Sequence, residues 1–282
     1  LYRTVFFGGY VLRSSQYELT DGMALLPEPV QQAFVDNRLP LDDEYGALVA
    51  SVQFYQAEYR RFHNVQTLGL TEDFRLGPMA YLEVSWSDPH FGFQQSALRL
   101  YGQAGWRFLF GDDILSLDGV GAARYMPGHG LVGVGGDWVD LVGEFSAENV
   151  SPSLWGWGRL FLRLRGALVR NSLSRSVYGL GGDNTLRGFV SGYRAGQNLV
   201  NVNLEFRSRP WVFDSIHLGF VAFYDGGDAF DLEGDNSFSY HQSLGLGLRG
   251  LFPIFDRGVT RLDVGIPLGA DFQPRIIDWI TI

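Results

Sequence analysis

The chain has 282 residues, 46% apolar and 15% aromatic, with 37 Gly, no Cys and a net charge of −9 in which every basic residue is Arg. The acidic balance argues against a nucleic-acid binder, which needs a basic face to neutralise phosphates, and the lack of Cys removes disulfides, thiolate metal sites and Cys nucleophiles together. No stretch approaches the ~20 unbroken apolar residues of a membrane-spanning helix. No signal peptide is visible, and a start at Leu1 rather than Met is expected of a processed or trimmed product. High apolar, aromatic and Gly content with mean hydropathy near zero leaves two classes. One is a soluble all-β protein; the other is an outer-membrane barrel whose lipid face and wet lumen average out.

Period-2 alternation is the dominant signal and predicts twelve strands, at 4–14, 45–62, 78–87, 96–110, 114–125, 137–149, 155–169, 198–207, 215–225, 241–251, 259–267 and 275–282. After the first comes a long loop, 15–44, where a short helix is expected near Pro29 to Val35. Leu98 to Phe110 alternates over one long run, with Arg99, Tyr101, Gln103 and Arg107 on its polar side. Leu160, Leu162 and Leu164 then oppose Phe161, Arg163 and Arg165. A second long loop, 170–197, leads to the clearest strand: Val200, Val202, Leu204 and Phe206 share one face, and Asn201, Asn203, Glu205 and Arg207 the other. In Ile216 to Asp225, Leu218, Phe220, Ala222 and Tyr224 oppose His217, Gly219, Val221, Phe223 and Asp225. Leu244, Leu246 and Leu248 oppose Gly245, Gly247 and Arg249, and Leu262, Val264 and Ile266 oppose Arg261, Asp263 and Gly265.

A soluble sandwich shows the same local alternation, but its strands usually run about five or six residues. Several strands here pass ten, long enough to cross a bilayer at a tilt, and every strand in lipid must be paired. The expected fold is therefore all-β, a transmembrane antiparallel β-barrel, with residues 1–282 forming one barrel domain. Long and short links alternate, as outside loops and periplasmic turns do. Two links fit poorly: 63–77 is too long for a periplasmic turn unless strands extend into it, and 268–274 is short for an outside loop.

The loop segment Tyr178 to Phe189 reads YGLGGDNTLRGF. It resembles the sixth extracellular loop of the BamA/TamA family of outer-membrane assembly and translocation barrels, which includes FhaC-type secretion transporters and bacterial surface antigen proteins. Leu186, Arg187, Gly188 and Phe189 match the family's aliphatic-Arg-Gly-aromatic tetrad. Phe223, Asp225 and Gly227 match its Phe-x-Asp-x-Gly motif two strands later. The resemblance covers about Leu154 to Ile282. It implies that loop 170–197 folds into the lumen and that Arg187 pairs with acids on the inner wall. Parity agrees for Glu205 and Asp225, both on polar faces, and an Arg fork can hold carboxylates bidentately. The resemblance further implies a role in outer-membrane protein assembly or polypeptide translocation, without cofactor, metal or catalysis. The implied partners are the lipid bilayer, unfolded outer-membrane or secreted polypeptides, and accessory subunits. Relatives usually carry sixteen strands, POTRA modules and a final aromatic residue, so four N-terminal strands are absent from this chain or the barrel is smaller.

Other constellations are weighed beside it. Gly245, Gly247 and Gly250 spell GxGxxG, but no helix follows, as a dinucleotide site requires; small lumen-facing residues are the better account. His241 and Ser243 raise an outer-membrane phospholipase, yet they fall on the lumen face with Arg249. Arg99, Arg107, Arg163, Arg165, Arg207, Arg249 and Arg261 allow an anion-lined passive pore, offset by Glu83, Asp118, Glu144, Glu205, Asp225 and Asp263 on the same faces. The seven Trp residues (86, 106, 138, 155, 157, 211 and 279) are read as interfacial girdles.

Overall fold

The structure is a computed structural model that describes residues 1–37, 39, 43–91, 93, 96–127, 137–173, 175–182, 185–232, 234–253, 258–269 and 280–281. Its elements, in order, are β1 (Tyr2–Ser15), α1 (Asp21–Ala24), α2 (Glu28–Asn37), β2 (Asp43–Gln56), β3 (Glu58–His63), β4 (Thr71–Ser87), β5 (Ala97–Phe110) and β6 (Asp113–Tyr125). There follow β7 (Trp138–Val150), β8 (Gly158–Arg170), β9 (Tyr178–Leu180), β10 (Arg194–Gly196), β11 (Asn198–Ser208), β12 (Trp211–Phe213), β13 (Ile216–Phe230), β14 (His241–Leu251), β15 (Val259–Pro267) and β16 (Ile280–Thr281). The helical turns of the first long loop lie at α1 and α2.

The strands form one antiparallel meander in the order β1-β2-β4-β5-β6-β7-β8-β11-β13-β14-β15-β16, with β3 continuing β2 alongside β4 and β12 extending the β13 hairpin. The predicted 63–77 link shortens to 64–70, because β3 and β4 both run into it. Among the described residues no ladder joins β1 to β16, so this sheet is open where the sequence predicts a closed barrel. Of the predicted last strand, 275–282, only Ile280 and Thr281 lie within the described residues, and they pair with Val264 and Asp263 of β15.

Pleating and register sort the side chains with few exceptions. Leu82 pairs with Gly102, Phe145 with Gly166, Leu164 with Val202, Leu204 with Tyr224, Leu246 with Ala222 and Val264. These neighbours build one apolar face from strand to strand, and its large side chains are exposed: Leu246 is 67% accessible and Phe145 53%. On the opposite face, Asp118 pairs with Ser146, Glu148 with Arg163, Asn203 with Asp225, and Gly247 with Asp263. That polar face lies inside the sheet's curvature. Val65, in the β3–β4 connection, and Phe74 of β4 pack with Ile114 of β6, Val150 of β7 and Phe161 of β8, although β4 and β8 stand four places apart in the sheet. A greasy exterior around a buried polar interior inverts the usual soluble arrangement, in which exposed large apolar patches are small. Trp86, Trp106, Trp138, Trp155, Trp157 and Trp211 are all exposed, at or near strand ends or in turns, whereas Trp279 lies outside the described residues.

Candidate functional site

The long connection between β8 and β11 is organised by its own short ladder, β9 against β10, and by Thr185, whose hydroxyl accepts the Gly181 N–H at 2.8 Å and donates to the Gly181 carbonyl at 3.0 Å. Leu180, Leu186 and Phe189 then bury against Leu199 of β11 and Ala229 of β13. Leu180 and Leu186 lose all solvent contact. Apolar burial thus seats the loop on the inner wall before any charge is considered.

Seating the loop carries Arg187 into the polar interior, where it is 2% exposed. Its Nε and Nη2 each donate to one oxygen of Asp225 at 2.7 Å, the bidentate fork geometry, and its backbone N–H adds a third bond to the same carboxylate at 3.1 Å. Nη1 reaches Glu205 of β11 at 2.5 Å and Asp263 of β15 at 3.4 Å. The guanidinium lies flat over Phe223, 3.6 Å from its centroid, a cation–π contact strengthened by desolvation. Asn201 and Asn203 donate to the Thr185 carbonyl at 2.7 and 2.8 Å, and Asn203 also donates to Asp225 at 2.8 Å. Three strands therefore hold one side chain.

The acids are shared outward. Arg207 binds the second oxygen of Glu205 at 2.7 Å, and Arg249 and Arg261 bind Asp263 at 2.5 and 3.3 Å. Four cations face three carboxylates in this network. For Arg187, burial pulls the pKa down, but the hydrogen bonds and charge of Asp225, with Glu205 and Asp263 behind it, outweigh that and push it up. Nearer the outer end of the loop, burial and a 2.7 Å bond to Glu144 push the Tyr178 hydroxyl up as well.

Backbone approach explains three glycines. Gly188 has φ +88° and rests on Gly265 of β15; a Cβ on Gly188 would lie 2.7 Å from the Gly265 carbonyl carbon. A Cβ on Gly265 would lie 2.7 Å from the Arg187 carbonyl carbon and the Gly188 nitrogen. The pair lets loop and wall touch main chain to main chain. Gly227 is crowded by the backbone of Val200 and Asn201, so a side chain there would separate β11 from β13. Phe189 packs beside Tyr193, 4.6 Å between centroids, and His241.

The structure gathers Glu205, Phe223 and Asp225 around Arg187 and sets Gly188, Phe189 and Gly227 nearby. Asp263 and Gly265 belong to the same site, although sequence reading assigned them only to a wall. Their signal was parity: both share a face with Arg261 on β15. The GxGxxG reading needs one correction. Gly245 and Gly247 face inward, against Phe223 and Asp263, but Gly250 pairs with Leu218 and Thr260 on the apolar face. An odd spacing of three necessarily changes sides on a strand. Ser243 and His241 do face inward, and His241 packs edge-on against Tyr193 at 5.3 Å.

Residues 174–274 match the model of the Omp85 superfamily domain. The matched segment contains the loop, both motifs and the strands that hold Arg187. No curated protein matches the chain. Over these residues the chain is thus similar to the Omp85 superfamily domain, which suggests outer-membrane protein insertion or translocation at the family level.

Proposed function

We propose that this chain forms a closed transmembrane barrel in the bacterial outer membrane and acts there in the insertion of outer-membrane proteins or the translocation of polypeptides. The continuous exposed apolar face supports the membrane setting, since lipid accepts those side chains and water does not. The observation that carries the functional reading is Arg187, held inside by acids on three different wall strands. A passive porin needs an open lumen, whereas in this reading a long loop is fastened to the inner wall and narrows it.

In this reading Arg187 is the lock. Gly188 and Gly265 allow its approach, Phe223 is the platform under the guanidinium, and Glu205, Asp225 and Asp263 are the keepers. No covalent chemistry is involved. Because the lock ties β11, β13 and β15 to one loop, its strength governs how easily that part of the wall deforms around a polypeptide. The partners are the bilayer, unfolded outer-membrane or secreted polypeptides, and accessory subunits. The test is reconstitution of the protein into lipid vesicles with an unfolded outer-membrane barrel or an unfolded secreted polypeptide as client. Faster client folding, or protease protection of the secreted client, is expected. Vesicles that leave both clients unaffected while showing large, steady conductance would identify a passive pore instead.

A further inference from the structure

The β3–β4 connection, residues 64–70, is not an external turn. It is a self-contained hairpin folded beneath the polar face. One Glu72 carboxylate collects the N–H groups of Val65 at 3.0 Å, Gln66 at 2.9 Å and Thr67 at 2.9 Å, together with the Thr67 hydroxyl at 2.7 Å. Asn64 donates to the Leu70 carbonyl at 3.0 Å and accepts the Gly69 N–H at 3.0 Å. With its main chain satisfied internally, the hairpin can be buried at small polar cost.

Its apolar residues reach from β4 to strands remote from it in the sheet, β6–β8 and β13. Val65, 3% exposed, joins Ile114, Val150 and Phe161 of β6, β7 and β8. Leu68, 8% exposed, lies over Gly219 of β13, where an added Cβ would sit 3.0 Å from its Cδ1. The His217 Nδ1–H donates to the Leu68 carbonyl at 2.6 Å, since that oxygen can only accept. Gly69, at φ +78°, rests on Pro210. This end of the sheet carries the short links, opposite the 171–197 loop. Two polar cavities lie between. One of about 170 Å³ is bounded by Asn64–Leu68, Arg249 and Arg261. Another of about 260 Å³ is bounded by Arg187, Glu148 and Arg163, and both share Glu205 and Arg207.

We propose that residues 64–70 are a second plug, closing the short-turn mouth of the barrel in series with the Arg187 loop. The inference rests on the barrel reading above. Two barriers in series act like resistances in series, so releasing either one alone leaves the path blocked by the other. The polar space between them is then a chamber with a door at each end.

Planar-bilayer conductance of the whole protein tests this. Arg187→Ala releases the loop. Gly219→Leu fills the space under Leu68 and displaces the hairpin without altering its own side chains, and Glu72→Gln weakens the hairpin from within. Low conductance is expected for the wild type and for each single variant. A stable, several-fold rise is expected only when Arg187→Ala is combined with Gly219→Leu or with Glu72→Gln. Arg187→Ala alone conducting as well as the double variants would overturn the proposal, as would a correctly folded double variant as closed as the wild type. Heat-modifiable migration confirms folding of each variant. Because the chain has no Cys, Val65→Cys, which keeps Leu68 in place to meet the new side chain, supplies a single buried thiol for a second readout in detergent. Slow reaction with a water-soluble maleimide is expected, unchanged by Arg187→Ala and much faster with Gly219→Leu; fast labelling beside the intact wall would overturn the seat of the hairpin. Loss of heat-modifiable migration and of bilayer insertion in the wild type would instead refute the barrel reading itself.

Discussion

Replacing Arg187 by Ala removes the side chain that ties the loop to the acids of β11, β13 and β15. The cost follows from what each acid keeps. Glu205 retains Arg207 and Asp263 retains Arg249 and Arg261, so neither is orphaned. Asp225 is fully buried and, among the described residues, keeps only the Asn203 amide and the residue-187 backbone N–H. Stranding one buried carboxylate after losing its ion-pair partner costs ~3–5 kcal/mol, and with two neutral donors remaining the lower end applies. Loss of the stacked contact on Phe223 adds about 1 kcal/mol. At ~1.4 kcal/mol per factor of ten, the undocked loop becomes roughly 10²- to 10³-fold more populated. Chymotrypsin reads this directly, because Phe189 is buried while the loop is docked. When opening is fast relative to cleavage, the cutting rate follows the open population. Arg187→Ala is therefore expected to raise cleavage beside Phe189 by two to three orders of magnitude, and Arg187→Lys, which keeps the charge but loses the fork, by less. A folded Arg187→Ala protein cleaved at the wild-type rate would refute the reasoning.

Other changes separate packing from charge. Gly265→Ala forces a methyl into the Arg187–Gly188 backbone and is expected to weaken docking by ~1–3 kcal/mol, seen in the same cleavage assay. Gly250→Ala, with its nearest neighbour 3.5 Å away on the apolar face, is expected to leave the rate unchanged. Tyr178→Phe removes the bond to Glu144 and is expected to cost ~0.5–1.5 kcal/mol in thermal unfolding. The wild-type Tyr178 contribution is complete below about pH 10, the unfolded tyrosine value, and fades as pH rises through the higher folded value; spectrophotometric titration should show one late-ionising tyrosine fewer in the variant than in the wild type. Arg175 donates to the carbonyls of Val35 and Leu39, the latter at 2.7 Å, so Arg175→Ala should speed deuterium uptake across α2 while leaving β11 unaffected.

The strand from Leu199 to Arg207 shows why much of this fold was legible. Its faces differ completely in polarity, and a period of two needs no tertiary knowledge to assign them. The same parity put Glu205 and Asp225 on one wall, and the two motifs supplied the loop that meets them. What alternation cannot encode is depth along the wall or distance across the interior. Asp263 was therefore visible as a wall residue but not as a third keeper of Arg187, because β15 meets the loop only after the sheet curves. Gly265 was silent for a related reason: its role is set by the backbone opposite it, not by any side chain of its own. The 64–70 hairpin was hidden differently. Its burial depends on Glu72, Gly219 and His217, which are far apart in sequence or sit inside neighbouring strands, so the segment read only as an overlong link. Gly250 shows how a spacing of three misleads on a strand.

The central claim, that the long loop is clamped inside by Arg187 on Asp225, is tested most directly by a double-mutant cycle in lipid vesicles. Arg187→Ala, Asp225→Ala and the double variant would be compared by the free energy of loop docking. If the two side chains act as one buried unit, each single change already removes the clamp, and the double variant should dock no worse than either single. Losses that simply add, giving a double variant weakened by the full sum of the two, would show that the residues do not hold each other and would contradict the account.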